Sequence, residues 1–525
     1  MKKIFLFALI VLVLFLTKLS ALNLPFSEDS LTYLIPSSEY MIKNNFTLLT
    51  GEIAFGHMPL LFILSSIIFL FTMKSLYLHI IILLLASLAL FLTYLISKKI
   101  FDEETGIIAV ILLLTTPAFF SLSAIFSTAI PSTALNLAAI YFTLKDNKKL
   151  YLLMMVLAIL VYESSFLIIP GILVYVLIKN YNENKKLPIK ELFIYSSPIL
   201  IIPLWLILNK ILYGWFFHEE LNRFRLTNIY NIAMINLRIV KLIFFDNFRW
   251  LLTSFLILSP ITLRLFFRRI RTRKVIFPLL ISLLFLFVLS FVPLFNLEPS
   301  IFPTFYQHFK EIYALRFLLA SILFIFLLTY NFFFEEYNKK EVIMFGFIIL
   351  TYVFYHSLFR TNAERYFLPV YPLFIIIASG AIKKLFVSTK YIVTIIIALL
   401  FVLSFNPHLS YHGDLSSNME YADEIYVESQ AINYIQENYA TSKILIFGFP
   451  SNHQLSSPYA GYTKIPLNTI DIQNLEDGSE FDIFYYTGLI GEETKQEILK
   501  KYNLVLEKRF EKNNKYTEIY FKSNS

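Results

Sequence analysis

The sequence predicts a polytopic α-helical membrane protein of about thirteen transmembrane helices, with a small extracytoplasmic α/β domain at its C-terminus. Three observations support this fold class. Hydrophobic residues make up 57% of the 525-residue chain and charged residues only 16%, with a mean hydropathy of +0.65. Long apolar runs recur through residues 1–405, whereas charge rises in residues 406–525. Lys and Arg gather in alternate short loops. Such a composition excludes a soluble multidomain protein and a disordered chain.

The apolar runs define the predicted spans. A helix that crosses the hydrocarbon needs about 20 mostly apolar residues, or fewer where it is re-entrant. The run from Pro59 to Met73 is interpreted as a juxtamembrane or membrane-embedded helix of the first outer loop, 23–75. The run 150–178 is interpreted as two short helices that break at Tyr162 to Ser165. The predicted spans are 4–22, 76–97, 107–122, 130–144, 150–162, 165–178, 192–209, 250–263, 275–292, 316–334, 342–357, 367–382 and 390–405.

The distribution of basic residues predicts the orientation. If the N-terminus is cytoplasmic, every second loop should be basic, which is the pattern found. The intervening loops are less basic and longer, and an odd number of crossings leaves the C-terminus outside. The first 22 residues also fit a signal peptide with cleavage near Ala21, which is the alternative. The basic loop residues are Lys98, Lys99, Lys145, Lys148, Lys149, Lys179, Lys185, Lys186, Lys190, Arg264, Arg268, Arg269, Arg271, Arg273, Lys274, Lys339, Lys340, Lys383 and Lys384.

Residues 406–525 predict the α/β domain. Helices are expected at 428–439 and 492–502, and strands at 443–449 and 482–486. Two further strands, 504–510 and 516–521, are expected to form a hairpin around Asn513 and Asn514. This stretch contains no recognisable catalytic motif.

The first outer loop carries the most informative polar residues. The carboxylates of Glu28, Asp29 and Glu39 follow the first span, and acids at a membrane surface are costly unless they bind a cation or act on a substrate. Asp29 and Tyr33 are four residues apart and would share one helix face. Asp29 could be a general base for an acceptor hydroxyl, a metal ligand, or a solvated loop acid.

Several motifs resemble those of one family. Asp29-x-x-x-Tyr33 is followed by His57-Met58-Pro59-Leu60, which opens an apolar helix. The segment from Glu364 to Pro372 resembles a late Arg-Tyr-x-Leu-Pro-x-x-Pro signature. The pattern is similar to the GT-C glycosyltransferases, and within them to the protein O-mannosyltransferase and aminoarabinose-transferase group. The resemblance covers about residues 1–405.

The resemblance implies a reaction and assigns roles. It implies inverting transfer of mannose, another hexose or a pentose from a polyprenyl- or dolichyl-phosphate donor to a protein, lipid or glycan acceptor at the outer face. Asp29 would be the general base, assisted by Glu28. The substrate- and phosphate-binding residues would be Tyr33, Glu39, His57, Lys310, Arg316 and Arg365. The C-terminal domain would be a lid or an acceptor-docking module.

One departure from the family concerns metal binding. The second acid usual before the fourth span is missing around Pro131. A divalent cation, Mg²⁺ or Mn²⁺, at Asp29 therefore remains an open prediction. No Walker A or Rossmann glycine motif is present, so no nucleotide cofactor is expected. The basic stretch 264–274 lies between spans and resembles an anionic-lipid contact, so no nucleic acid partner is expected. The chain has no cysteine, which excludes thiolate catalysis and Cys-ligated zinc.

Other interpretations remain open at this stage. His57 could be an interfacial polar residue, Arg365 a partner of Glu364, and Arg316 a snorkelling cation. Glu163 is expected to hold a helix break rather than to react. Trp215 is a second, weaker candidate for sugar stacking. The competing functions are a multi-pass transporter or lipid flippase, and a non-catalytic scaffold. A transporter should place ionisable residues near the middle of the membrane, whereas this chain collects them at outer helix ends.

Overall fold

The structure is a computed structural model, which describes the chain in segments separated by gaps. The described residues are 2–27, 30–46, 56–184, 187–217, 229–256, 340–358, 363–405, 420–446, 451–472, 480–488 and 492–522.

Residues 2–405 form a helical bundle. Its helices are α1 (Lys2–Lys18), α2 (Ile35–Lys43), α3 (Leu60–Phe69), α4 (Ser75–Ile100), α5 (Glu103–Thr115), α6 (Pro117–Leu122), α7 (Ala129–Leu144), α8 (Lys148–Val161), α9 (Ile169–Asn184), α10 (Ile189–Ser196), α11 (Ile201–Tyr213), α12 (Ile229–Phe244), α13 (Lys340–Leu358), α14 (Tyr371–Leu385) and α15 (Lys390–Leu403). A π-helical turn, Ser30–Leu34, precedes α2. Two 3₁₀ segments, Glu163–Ile168 and Glu364–Val370, precede α9 and α14.

Five helices or joined helix segments among these residues are long and apolar enough to cross a membrane: Ser75–Ile100, Glu163–Tyr181, Ile189–Tyr213, Lys340–Leu358 and Glu364–Leu385. Shorter apolar helices lie at Ile4–Lys18, Leu60–Phe69, Ala129–Leu144 and Lys390–Leu403. A helix occupies each predicted span within the described residues, and residues 249–256 are helical where a span at 250–263 is expected. The predicted spans 275–292 and 316–334 lie outside the described residues. The total of thirteen crossings stays a prediction.

Two local predictions can be compared with the structure. Helix α3 has 10 residues, which at 1.5 Å per residue is about 15 Å, too short for a hydrocarbon core of about 30 Å. Its placement as a juxtamembrane or membrane-embedded helix stays a prediction. Helix α8 ends at Val161, and Tyr162 is extended with φ −154° and ψ 118° before the 3₁₀ segment begins at Glu163. The run 150–178 is therefore broken where the sequence predicts.

Several of the basic loop residues within the described ranges come together on one side of the bundle. Asp102 caps α5 by accepting a hydrogen bond from the Thr105 amide, 3.0 Å away. The cations around this turn pair with its acids or with helix ends: Lys98 with Glu103, Lys383 with Asp102 and Glu104, Lys390 with Glu104, Lys99 with the Leu144 carbonyl, and Lys179 with Asp146. The ends of α4, α7 and α14 thus share one face, as a pattern of alternating loops requires.

The centre of the bundle is α14, which is almost completely buried, whereas the α10–α11 span exposes most of its apolar surface. Exposed apolar residues of α11 and α15, such as Leu204, Ile211, Ile395 and Leu399, suit contact with lipid tails. The burial pattern therefore places α14 and its preceding 3₁₀ segment at the core and α11 at the periphery.

The C-terminal unit, residues 420–522, is an α/β fold. It contains α16 (Glu420–Asn438), β1 (Lys443–Ile446), α17 (Ser451–Ser456), β2 (Asn468–Asp471), β3 (Ile483–Tyr486), α18 (Glu492–Tyr502), β4 (Leu504–Lys512) and β5 (Lys515–Lys522). The sheet order is β2-β1-β3-β5-β4, with β2, β1 and β3 parallel and the β4–β5 hairpin antiparallel. The hairpin turns at Asn513 and Asn514, both with positive φ, as the sequence predicts. Strand β2 and helix α17 were not predicted.

Candidate active site

His57 and Glu163 form the central polar contact of the candidate site. The Nδ1 atom of His57 lies 3.0 Å from Oε1 of Glu163. Both side chains are partly exposed, 22% for His57 and 31% for Glu163. The other oxygen of Glu163, Oε2, is buried and has no hydrogen-bond partner among the described residues. A buried carboxylate oxygen without a donor is costly, which favours a ligand hydroxyl at this position.

The backbone at Gly56, which precedes His57, is held by α11 and by the residues that follow α11. Gly56 has φ +78°, a conformation that L side chains rarely adopt. Its carbonyl accepts a hydrogen bond of 2.8 Å from Nε1 of Trp205. The ring of Trp215 lies 3.0 Å from where a Cβ atom of Gly56 would be. The sequence favoured Trp215 weakly for sugar stacking, and the structure places it against the chain that carries His57.

Tyr33 covers the other side of His57. The two rings are stacked, with centroids 4.5 Å apart and planes at 29°. Tyr33 belongs to the π-helical turn, which is tied to the bundle because the hydroxyl of Ser30 donates a hydrogen bond to the carbonyl of Phe126. The structure therefore brings together Tyr33 and His57, two residues that the sequence singled out.

An aromatic column extends from Glu163 toward the late signature. Tyr162, which precedes Glu163, stacks on Tyr366 with centroids 6.2 Å apart and planes at 14°. On its other side Tyr366 stacks on His356 of α13 at 5.9 Å and 13°. This column joins the break before α9 to the 3₁₀ segment before α14, although the two are about 200 residues apart in sequence.

Arg365 lies beside this column. The carbon of its guanidinium is 5.3 Å from the centre of the Tyr366 ring, and the side chain is partly exposed. Tyr366 stacks on Tyr162, the neighbour of Glu163, so Arg365 and His57 lie around the same group of aromatic residues. The joint role of His57 and Arg365 in binding phosphate stays a prediction.

A buried ion pair fixes the segment that carries Arg365. Nη1 of Arg249 lies 2.7 Å from Oε1 of Glu364, and the two side chains are 1% and 3% exposed. The hydroxyl of Tyr371 donates to the same oxygen at 2.8 Å. The guanidinium of Arg249 also lies over the Tyr371 ring at 4.7 Å. Glu364 is thus held by Arg249 and Tyr371, whereas one sequence interpretation paired it with Arg365.

Glu39 faces the C-terminal unit. Its carboxylate accepts hydrogen bonds from Lys43 and from the hydroxyl of Ser457, each at 2.6 Å, and His453 Nε2 lies 3.4 Å away. Burial raises the pKa of the Glu39 carboxyl, but hydrogen bonds from His453, Lys43 and Ser457 outweigh it and lower the pKa to about 2. These contacts differ from the cation- or substrate-binding role that the sequence predicted for Glu39.

The other predicted site residues cannot be compared with the structure. Glu28, Asp29, Lys310 and Arg316 lie outside the described residues, as do His218, Glu219 and Glu220. Within the described ranges, no group of three or more His, Asp or Glu side chains is arranged to hold a metal ion. The roles of Asp29 as a base and as a metal ligand stay predictions.

Comparisons with known proteins concern the sequence and the fold. Residues 57–207, which include His57 and Glu163, match the family model described as dolichyl-phosphate-mannose-protein mannosyltransferase. A search of curated protein sequences found no match. The structure is similar to that of ArnT from Cupriavidus metallidurans bound to undecaprenyl phosphate, with a TM-score of 0.52 and 13% sequence identity, over 99% of this chain and 98% of ArnT. The protein has a GT-C fold. The apo crystal structure of the same ArnT gives a TM-score of 0.52 and 12% identity, over 98% of this chain and 97% of ArnT.

The GT-C fold confirms the resemblance that the motifs at 28–60 and 364–372 indicate. The structural likeness spans the C-terminal residues as well, beyond the 1–405 over which motifs were found. The family match over residues 57–207 and this structural likeness agree on the resemblance.

Sequence reasoning missed several residues of the candidate site. Glu163 was assigned only to a helix break, and Tyr162, Tyr366, His356 and Arg249 were given no role. One signal was available, because a lone carboxylate inside an apolar run is costly unless a cation or a donor is near. Glu163 is such a residue within 150–178, and its partner is His57.

Proposed function

We propose that the protein is an integral membrane glycosyltransferase that transfers a sugar from a polyprenyl- or dolichyl-phosphate donor to a hydroxyl acceptor, with inversion at the anomeric carbon. The observation that carries this proposal is the contact between His57 and Glu163 beside the Tyr162–Tyr366 column and Arg365. The ArnT structure named above binds undecaprenyl phosphate, which makes the same class of lipid the natural donor carrier here.

The charges of the site suit a lipid monophosphate. A carboxylate 3.0 Å from an imidazole stabilises the protonated, positively charged ring. Protonated His57 and the guanidinium of Arg365 would then hold the phosphate oxygens by charge-assisted hydrogen bonds. Two cations near a leaving phosphate stabilise the negative charge that develops as the bond to the sugar breaks.

The aromatic residues suit the sugar. The Tyr33 ring on one side of His57 and the Tyr162–Tyr366 column on the other would bound the sugar ring, and Glu163 Oε2 would accept a hydrogen bond from one of its hydroxyls. These contacts would orient the anomeric carbon toward the acceptor.

The reaction itself is a single displacement. The acceptor oxygen forms a bond to the anomeric carbon while the bond from that carbon to the phosphate oxygen breaks, and the lipid phosphate leaves with the electron pair. Asp29 would take the proton of the acceptor hydroxyl as the new bond forms. If the first outer loop lies on the extracytoplasmic side, the transfer occurs there, and the alternate basic loops favour this orientation.

A transfer assay tests the proposal. Membranes containing the protein are incubated with radiolabelled polyprenyl-phosphate sugars, and label in protein, lipid and glycan fractions is measured for wild type, Asp29→Asn and His57→Ala. We expect transfer by wild type, its loss in Asp29→Asn, and a raised KM for donor in His57→Ala. Lys148→Ala, a cation on the opposite face, is the control and should behave as wild type. Full transfer by Asp29→Asn would remove Asp29 as base, and movement of labelled lipid between leaflets without transfer would instead favour a flippase.

A further inference from the structure

The C-terminal unit is docked on the first outer loop through a buried carboxylate. The hydroxyl of Ser457 donates to Oε2 of Glu39 at 2.6 Å, and Nε2 of His453 lies 3.4 Å from the same oxygen. Ser457 is 2% exposed and Glu39 is 9% exposed, so water does not compete freely for this contact. The two sides of the contact are 418 residues apart in sequence.

Further contacts surround this polar one. The amide of Phe26 donates to the carbonyl of Ala460 at 3.2 Å. The ring of Tyr459 lies 5.2 Å from that of Phe69, at the end of α3. Gly461 has φ +84°, and a Cβ atom there would lie 3.4 Å from the Cα of Pro25. The segment from Ser451 to Gly461 therefore touches the outer loop before α2, at α2 and at the end of α3.

The same loop elements carry Tyr33 and His57. Helix α2, which contains Glu39, continues directly from the π-helical turn that contains Tyr33. Helix α3 begins at Leu60, three residues after His57. The two helices are joined because the hydroxyl of Ser38 contacts that of Ser65 and the hydroxyl of Ser66 donates to the Ser38 carbonyl at 3.2 Å. A shift of α2 against α3 would move Tyr33 relative to His57.

We propose that Ser457 and His453 are positioning residues for the active site: by holding Glu39, they fix α2 against α3 and thereby keep Tyr33 stacked on His57. This inference rests on the proposed function for its catalytic consequence. It gives the C-terminal unit a task within the reaction that neither its sheet nor its sequence motifs reveal. The ionised state of Glu39 supports the contact, since hydrogen bonds to a carboxylate are stronger than those to a neutral acid.

The test compares neighbouring serines in the full-length protein. Ser457→Ala removes the hydroxyl that contacts Glu39. Ser456→Ala is the matched control, because it removes a hydroxyl that donates to the Asn452 carbonyl within the same helix, at 2.6 Å. Ser457→Thr keeps a hydroxyl at position 457 and serves as the conservative variant. Glu39→Gln removes the charge from the other side.

Hydrogen exchange measured by mass spectrometry gives a readout that does not depend on activity. We expect faster exchange in peptides covering 30–43 and 57–69 for Ser457→Ala and Glu39→Gln, and wild-type exchange for Ser456→Ala and Ser457→Thr. In the transfer assay, Ser457→Ala should lower kcat/KM about tenfold. The double variant with Glu39→Gln should be no worse than the poorer single variant, because both remove the same contact.

Failure of the positioning role can be distinguished from failure of the proposed function. If wild type transfers no sugar, the proposed function fails, while the exchange experiment still shows whether Ser457 orders the outer loop. If Ser457→Ala exchanges like wild type in 30–43, the positioning role is wrong whatever the activity. Equal loss of transfer in Ser456→Ala and Ser457→Ala would also overturn it, since the effect would then not come from Glu39.

Discussion

The imidazole of His57 and the carboxylate of Glu163 lie 3.0 Å apart although 106 positions separate them in the sequence. One residue precedes α3 and the other begins the 3₁₀ segment before α9. The distance between the two side chains therefore depends on how the outer loop packs against the helix break. This pair connects the outer loop to the transmembrane bundle.

Glu163→Gln should weaken the retention of phosphate by His57. The amide keeps the shape of the side chain but no longer stabilises a positive imidazole. A hydrogen bond to a charged group contributes about 1.5–3 kcal/mol, so binding of undecaprenyl phosphate should weaken about 10- to 100-fold. Binding to the purified protein can be measured by tryptophan fluorescence or native mass spectrometry.

The control for this variant is Glu191→Gln. Glu191 is paired with Lys148 at 3.1 Å and its side chain is 30% exposed, close to the 31% of Glu163. It lies with the basic loops on the other side of the bundle. Equal weakening by both variants would show that the loss is a general effect of removing a paired acid.

Gly56→Ala should displace His57. The backbone at Gly56 has φ +78°, and the new Cβ would approach the Trp215 ring to 3.0 Å. Gly214→Ala is the matched control, because Gly214 has φ +81° but open space around its missing Cβ. Both variants bear a backbone cost of about 1 kcal/mol, and only Gly56→Ala adds a steric contact. We expect transfer to fall strongly in Gly56→Ala alone, and equal activity of the two variants would contradict this.

Glu364→Gln should destabilise the protein. The buried guanidinium of Arg249 would lose its carboxylate partner, and breaking a buried ion pair costs about 3–5 kcal/mol. The expected result is a clearly lower melting temperature of the detergent-solubilised protein. Glu103→Gln removes the acid of an exposed pair with Lys98 and should change the melting temperature little. A melting temperature of Glu364→Gln as high as that of wild type would show that Arg249 finds another partner.

The free energy of unfolding of the C-terminal unit should fall as the pH rises, because of the buried carboxyl group of Glu428. Burial and the nearby carboxylate of Glu424 raise the pKa of Glu428 from 4.5 to about 8. Because the folded pKa is raised, the full stability is present below about pH 4.5 and declines toward pH 8, by up to a few kcal/mol. In Glu428→Gln this decline should be smaller, while the exposed Glu437→Gln on the same helix should follow wild type. Thermal melts between pH 5 and pH 8 measure the difference.

Much of the helical framework could be predicted because a long apolar run directly indicates a helix in contact with lipid. The break at Tyr162 was visible since two cytoplasmic-looking flanks, Lys148–Lys149 and Lys179, cannot border one crossing. Strand β2, Asn468–Asp471, was missed because three of its four residues are polar and none is buried, so they show no alternation of apolar side chains.

The candidate site was harder to predict because its contacts join distant parts of the chain. His57 and Arg365 stood out through local motifs, but the partners of Glu163 and Glu364 come from other elements and leave no local pattern. For Glu39 the sequence indicated an acid at a membrane surface. Only the tertiary structure shows that Ser457 and His453 contact its carboxylate.

The two 3₁₀ segments have an electrostatic consequence. Each begins with a glutamate, Glu163 or Glu364, and each leads into a long helix whose amino end carries a partial positive charge of about half an elementary charge from its aligned peptide dipoles. The stacking of Tyr162 on Tyr366 brings these two ends together. Arg249 offsets the charge of Glu364, and His57 offsets that of Glu163 when its ring is protonated, so less of the acids' negative charge is left to cancel these dipoles.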